Sequence, residues 1–144
     1  MGITNSNKQI SVDRIDCNGT LKVTIAITAA PDITSNPTDI VLVLDRSGSM
    51  AGSPLANMKA GAKKFIDIID EATDSSQDGQ IGSGSQIGIV SFADTAVANT
   101  QLITSVADLK AAVDGLTAGG LTNHAAAFTE AGQLFDPASS NAKV

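Results

Sequence analysis

The residues best suited to chemistry are a carboxylate and two hydroxyls in the stretch D-R-S-G-S, residues 45–49, which follows the apolar run I-V-L-V-L. Hard dications such as Mg²⁺ take oxygen ligands in octahedral geometry and usually keep several waters. Asp45, Ser47 and Ser49 supply such oxygens from one short loop, and Gly48 lets that loop turn so that both hydroxyls converge. The spacing predicts a divalent-metal site in which Asp45 acts mainly through metal-bound water.

Thr122 offers a third hydroxyl, in the loop G-G-L-T-N of residues 119–123. Ser and Asp side chains also form local turns, so the Asp45–Ser47 pair alone indicates only a turn. The context favours a metal site, because the first loop lies between a strand and a helix and a second Gly-rich loop follows. The residues expected on the rim that a partner would contact are Arg46, Asn123 and His124, the single histidine.

The composition of the 144-residue chain argues against several classes of function. A formal net charge of −6, four Phe and no Trp or Tyr argue against nucleic-acid binding through phosphate contacts or base stacking. The single cysteine, Cys17, excludes an intrachain disulfide and a zinc site built on cysteines. No stretch approaches the ~20 apolar residues of a membrane span, and the first residues have no signal-peptide core.

The elements that must position the candidate site alternate between strands and helices. Residues 8–28 are predicted to form a β-hairpin with its turn at Asn18 and Gly19, followed by a linker of residues 31–38. Residues 40–44 are predicted to form a strand buried on both faces, as in a parallel sheet. The remaining predicted elements are strands at 86–92 and 97–103, helices at 55–71, 106–115 and 123–135, and a strand that begins at the terminal A-K-V.

Capping residues mark the ends of the predicted helices. Ser53 and Pro54 are expected to be the N-cap and first residue of one helix. Ser105, with Asp108 three residues on, is expected to cap the next helix, and Gly115 is expected to end it. Residues 73–85, which follow the first helix, are a polar loop rich in Gly and Ser.

This order of elements predicts an α/β fold, a Rossmann-like and mostly parallel sheet flanked by helices and preceded by the β-hairpin. Such sheets bind ligands at the carboxyl ends of their strands, which is where Asp45 lies. We expect two parts: residues 1–37 with the hairpin and linker, and residues 38–144 with the α/β domain.

The run D-I-V-L-V-L-D-R-S-G-S-M, residues 39–50, resembles the start of a von Willebrand factor type A domain, and the resemblance extends over residues 38–144. It implies a metal-ion-dependent adhesion site with the pattern D-x-S-x-S, matched by Asp45, Ser47 and Ser49, and completed by Thr122 in A-G-G-L-T-N. It further implies a divalent ion, usually Mg²⁺ with Mn²⁺ or Ca²⁺ as alternatives, and a protein ligand that supplies an acidic side chain to it. The implied location is extracellular, at a bacterial cell surface, as in pilus-tip adhesins of this family.

The family's fifth site residue, an Asp after the fourth sheet strand, has no counterpart before Val144. The resemblance therefore predicts a domain that is incomplete at its C-terminus. The chain is expected to be an N-terminal fragment, a cleaved half, or one part of an assembly in which a second chain or a swapped copy completes the sheet. Asp94, at the end of the second core strand, is not assigned the role of that Asp.

Two other functions stay open from the sequence. Asp45 at a strand end suits the nucleophile of a Mg²⁺-dependent aspartyl-phosphate hydrolase, but Ser47 stands where such enzymes place a second acid. We therefore expect that the chain is not an enzyme. The other alternative is a metal site that stabilises the domain and recruits no partner.

Overall fold

A computed structural model describes residues 2–10, 23–30 and 37–144. The chain divides into two compact units, residues 1–32 and residues 33–144. Among the described residues, no helix combines the length and the apolar character that crossing a membrane requires.

The smaller unit contains one antiparallel strand pair. Strands β1 (Gly2–Ile10) and β2 (Val23–Ala30) form a two-stranded sheet in which Ile10 lies opposite Val23. This agrees with the predicted pairing, although β1 begins earlier than expected. The predicted turn at Asn18 and Gly19 and the linker up to residue 36 lie outside the described residues.

The larger unit is an α/β domain whose sheet has the strand order β5–β4–β3–β6. Its elements are β3 (Thr38–Asp45), α1 (Ser53–Asp74), β4 (Gln86–Phe92), β5 (Ala96–Ala98), α2 (Val106–Asp114), α3 (His124–Leu134) and β6 (Ala142–Lys143). Strand β3 is parallel to β4 and β6, and β5 is antiparallel to β4. The predicted fold class, a mostly parallel sheet flanked by helices, is confirmed.

Different helices cover the two faces of this sheet. Alternate side chains of β4 point to opposite faces, and those of Ile87 and Ile89 belong to a core shared with α1 and α2. On the other face, a Cβ added to Gly88 would lie 2.8 Å from Leu134 Cδ2 of α3. The buried members of the core on the first face are Ala62, Ile66, Ile81, Ile87, Ile89, Val106, Leu109 and Val113.

Strand β3 is less buried than its apolar sequence predicts. Residues 40–44 are half-buried, and Asp39 is the buried residue of the strand. Strand β6 pairs with β3 at Thr38 and Asp39, and the Val41 amide donates to the Val144 carbonyl at 2.8 Å. Beyond Val41, β3 has a neighbouring strand on its β4 side and none on the other side among the described residues. The predicted full burial of residues 40–44 is therefore not reached, because one edge of β3 is unpaired beyond Val41 among the described residues.

The predicted strand of residues 97–103 is interrupted after Ala98. The amides of Asn99 and Thr100 both donate to the Ile89 carbonyl of β4, at 2.8 and 3.2 Å, so two residues face one residue of β4, as in a β-bulge. Regular pairing returns at Ile103, whose amide and carbonyl both bond to Ile87 at 3.0 Å.

Two helix ends differ from their predictions. Gly52, with a φ of +83°, is the N-cap of α1, so Ser53 is the first helical residue and not the cap. Gly115 caps α2 in a right-handed conformation, with a φ of −71°, and not in the left-handed conformation typical of glycine. The predicted cap of α2 is present, because the Ser105 side chain accepts a hydrogen bond from the Asp108 amide at 3.3 Å.

Candidate functional site

The first loop of the site begins where β3 ends. Asp45 Oδ1 accepts a hydrogen bond from the Ser47 amide at 2.7 Å, which turns the chain immediately after the strand. A 3₁₀ turn, Gly48–Met50, follows, and it is closed by a bond from the Met50 amide to the Ser47 carbonyl at 2.9 Å. Ser47 is buried and Ser49 is exposed, yet their hydroxyl oxygens lie 3.2 Å apart.

The separation of these two hydroxyl oxygens suits a divalent ion. Two adjacent ligands of an octahedral Mg²⁺, each about 2.1 Å from the ion, lie about 3.0 Å from each other. The corresponding separation for Ca²⁺, with ligands about 2.4 Å from the ion, is about 3.4 Å. The observed 3.2 Å lies between these values. Among the described residues, no three His, Cys, Asp or Glu side chains converge to hold a metal. An ion at this site would therefore depend on hydroxyl ligands.

A second loop, residues 118–123, docks on the first through backbone atoms. The Gly119 amide donates to the Arg46 carbonyl at 2.8 Å, and the Gly48 amide donates to the Gly120 carbonyl at 2.9 Å. A Cβ added to Gly48 would lie 3.2 Å from that same Gly120 carbonyl oxygen. A side chain at position 48 would therefore push the second loop away by a few tenths of an ångström, a role of Gly48 that the sequence did not reveal.

Asp94 fixes the second loop from the other side. Its Oδ1 accepts a hydrogen bond from the Leu121 amide at 3.1 Å. Gly120 has a φ of +81°, and a Cβ there would lie only 2.1 Å from Asp94 Oδ2. Sequence reasoning missed this role. The available signal was an acid at a strand end, Asp94, together with a Gly-Gly pair that needs a partner to fix its conformation.

The end of β4 anchors both loops. The Arg46 amide donates to the Phe92 carbonyl at 2.9 Å, and the Asn123 amide donates to the Ala93 carbonyl at 2.7 Å. The carboxyl ends of β3 and β4, which are neighbouring parallel strands, thus hold the two predicted site loops against each other.

Of the remaining predicted residues, Thr122 and Asn123 lie in the second loop, His124 begins α3 and Arg46 lies in the first loop. Thr122 is exposed, and the structure gives no hydrogen bond between its hydroxyl and those of Ser47 and Ser49. Asn123 caps α3, because its Oδ1 accepts from the Ala126 amide at 3.1 Å. The His124 ring lies 5.4 Å from the Phe92 ring, with the ring planes tilted by 53°. Arg46 is half-buried beside them.

Comparison with known proteins adds a family match to this geometry. The family model for the von Willebrand factor type A domain matches residues 40–144. A search of curated proteins found no match.

Several solved structures share the fold. A von Willebrand factor type A protein from Catenulispora acidiphila is 28% identical, with a TM-score of 0.56 and coverage of 84% of this chain and 26% of that one. Proximal thread matrix protein 1 of the mussel byssus, with a zinc-occupied MIDAS motif, is 26% identical with a TM-score of 0.56, and the match covers 75% of this chain and 27% of that one. The vWF domain of the type V pili tip protein Mfa5 from Porphyromonas gingivalis is 24% identical with a TM-score of 0.52, and the match covers 59% of this chain and 28% of that one. The chain thus spans about a quarter of the length of these structures.

Proposed function

The chain belongs to the von Willebrand factor type A domain family, and we propose that it binds a protein ligand through a divalent cation held by Ser47, Ser49 and Thr122. The observation that carries the proposal is the 3.2 Å separation of the Ser47 and Ser49 hydroxyl oxygens beside the docked second loop. The zinc-occupied MIDAS motif of the mussel protein, which is 26% identical over the matched region, supports a divalent ion at the site proposed in this chain. Mg²⁺ is the ion we propose, with Mn²⁺ or Ca²⁺ as alternatives.

Each proposed ligand has a distinct part in the site. Ser47 and Ser49 would contact the ion directly, and Thr122 would do so from the second loop. Asp45 Oδ1 is already bonded to the Ser47 amide, which leaves its other carboxylate oxygen to orient metal-bound water.

The charge balance of this site favours an acidic partner. Hydroxyl ligands carry no charge, so Asp45, the carboxylate assigned to the ion, leaves a dication incompletely neutralised. A carboxylate from a protein ligand supplies both a negative charge and a hard oxygen to such an ion. Around it, exposed His124 and half-buried Arg46 would form the rim, together with Leu121, which is 75% exposed. Asn123 contributes less to the rim, because its side chain is engaged in capping α3.

We further propose that another strand, from a second chain or a swapped copy, pairs with β3 beyond Val41. An apolar strand with one unpaired edge is a ready template for strand addition. Light scattering with and without Mg²⁺ tests this, because the proposal requires a species heavier than one chain, and a monomer under both conditions would contradict it.

A catalytic role is less well supported than binding. Ser47 occupies the place at which aspartyl-phosphate hydrolases have a second acid, and the Asp45 carboxylate is partly occupied by the Ser47 amide. We therefore propose that the domain is not an enzyme. Hydrolysis of p-nitrophenyl phosphate that Asp45→Asn abolishes would refute this. The proposed location at a bacterial cell surface rests on the family resemblance, and protease treatment of intact cells would test it.

The metal-binding proposal is tested by titrating the full chain with Mn²⁺ in a calorimeter. We expect one Mn²⁺ site that depends on the serine hydroxyls. The double variant Ser47→Ala, Ser49→Ala should lose this site, and its far-UV circular dichroism spectrum should stay unchanged. The matched control is Ser53→Ala with Ser140→Ala, because both serines are exposed and lie outside the site. Mn²⁺ binding whose stoichiometry and affinity are unchanged in the first variant, or reduced equally in the control, would contradict the assignment.

A further inference from the structure

The loop between α1 and β4 carries a regular pattern of oxygen-bearing side chains. Residues 74–85 read D-S-S-Q-D-G-Q-I-G-S-G-S, with Asp, Ser and Asp at the first, third and fifth positions and Gly at the sixth. In the twelve-residue calcium loop of EF-hands, those three positions supply ligands, the seventh supplies its backbone carbonyl, and the sixth is an invariant glycine at a sharp turn. We propose that this loop is a calcium-binding site.

The loop is remote from the site described above. It precedes β4, so it lies at the amino end of a strand whose carboxyl end anchors the Asp45 loop. A cation here would therefore be a second ion, independent of the one proposed at Ser47 and Ser49.

The local conformation matches the pattern. Helix α1 ends at Asp74, the first position of the loop. Asp74 Oδ1 accepts from the Ser76 amide at 2.9 Å and from its hydroxyl at 2.8 Å, and Asp78 Oδ1 accepts from the Gln80 amide at 3.0 Å. Gly79 has a φ of +88°, the left-handed conformation that a sharp turn at the sixth position requires.

An independent observation comes from Asp70, one helical turn before Asp74. Asp70 is only 2% exposed, and its Oδ2 accepts a hydrogen bond from the Gly79 amide at 3.3 Å, so its carboxylate points at the loop. Its Oδ1 is buried and has no hydrogen-bond partner among the described residues. A buried carboxylate oxygen without a partner is unfavourable. A cation bound by the adjacent Asp74, Ser76 and Asp78 side chains would pair with this oxygen.

The second half of the loop is already held in place. The Ile81 side chain is buried, and its amide donates to the Thr104 carbonyl at 2.8 Å. The Gly79 carbonyl accepts from the Val106 amide at 3.0 Å. Because the described acidic side chains do not yet converge on one point, residues 75–78 are the segment that would close around the ion.

The donor set also sets the expected affinity. Ser85 stands at the twelfth position, where an EF-hand has a bidentate Glu, so one strong ligand is missing. The Asp70 carboxylate replaces this missing ligand only in part, because Asp70 lies in α1 and not in the loop. We expect a dissociation constant of about 10⁻⁴–10⁻³ M, the range of weak extracellular calcium modules.

Calcium titration of the full chain tests the proposal, with Ser47→Ala and Ser49→Ala in the background so that the other site is removed. We expect one calcium ion bound, and Asp74→Asn or Asp78→Asn should raise the dissociation constant at least about tenfold. Asn preserves the turn hydrogen bond while it removes the charge. The matched control is Asp136→Asn, because Asp136 is an exposed aspartate whose Oδ1 accepts from the Ala138 amide at 2.8 Å in the same kind of turn.

The same titration, followed by NMR at the Gly79 amide, reads the site directly. A calcium-dependent shift of that amide is expected, and it should vanish in Asp78→Asn. The absence of calcium binding up to about 10 mM calcium, which exceeds the expected dissociation constant, would overturn the proposal. Calcium binding that Asp78→Asn leaves unchanged would overturn it as well. An unchanged affinity in Asp70→Asn would also overturn it, because the buried Asp70 carboxylate would then not face the ion. If Asp74→Asn does not fold, Ser76→Ala at an exposed position should still weaken binding.

Discussion

Gly120→Ala is the substitution that should most disturb the second site loop. The backbone φ of +81° is unfavourable for alanine, at a cost of about 1–3 kcal/mol. The new Cβ would lie 2.1 Å from Asp94 Oδ2, so the carboxylate must move and release the Leu121 amide. Loss of that hydrogen bond, at an exposed carboxylate, costs about 1 kcal/mol. The unfolding free energy should therefore fall by about 2–4 kcal/mol.

Urea unfolding followed by far-UV circular dichroism measures this change, since a chain without Trp or Tyr offers no useful fluorescence signal. The adjacent Gly119→Ala is the matched control, because nothing lies within 4 Å of the position that its new Cβ would take and its φ is outside the left-handed region. We expect Gly119→Ala to change the free energy of unfolding by less than about 0.5 kcal/mol.

A double-mutant cycle with Asp94→Ala separates the two causes. Without the Asp94 carboxylate, Gly120→Ala should retain only the backbone cost, about 1–3 kcal/mol. Equal costs for Gly120→Ala and Gly119→Ala would refute the argument from conformation. Equal costs of Gly120→Ala with and without Asp94 would refute the argument from contact.

Two further predictions concern residues that fix the sheet. Asp39→Ala should lower the unfolding free energy by about 2 kcal/mol, because the buried carboxylate accepts from Ser139 Oγ at 3.0 Å and from Asn141 Nδ2 at 2.8 Å. Amide hydrogen exchange should accelerate in β6 and not in β5, and a uniform acceleration would contradict this local role. Gly88→Ala should lower the unfolding free energy by about 1–2 kcal/mol through overpacking, because its Cβ would lie 2.8 Å from Leu134 Cδ2. Urea unfolding should show that Leu134→Ala removes most of this loss, and an undiminished loss would exclude Leu134 as its cause.

Local sequence patterns predicted the elements that build the α/β domain. The apolar run before Asp45 indicated a strand, and the repeat of apolar residues after Pro54 indicated a helix, because both periods are fixed by backbone geometry. The positions of Ser47 and Ser49 at a strand end also followed from local sequence. Their hydroxyl separation of 3.2 Å required the structure.

The residues that the sequence did not reveal act through distant partners. Asp94 bonds an amide 27 residues away, and Asp39 bonds a hydroxyl 100 residues away. The partial exposure of β3 likewise depends on how far β6 extends along it. Such contacts are set by tertiary packing, which local propensity does not encode.

The two site loops are joined to each other and to β4 by main-chain atoms, through the carbonyls of Arg46, Gly120, Phe92 and Ala93. The framework of the site therefore makes few demands on the side chains that face outward. Leu121 can be exchanged for residues of other shape or charge with little cost to folding, and exchange of His124 loses only the contact of its ring with Phe92. Variation at these positions would change the exposed surface beside the proposed cation site while the main-chain framework of the two loops is kept. A library randomised at these two positions, with Asp94 and both glycines kept, is the natural starting point for redirecting this domain to a chosen target.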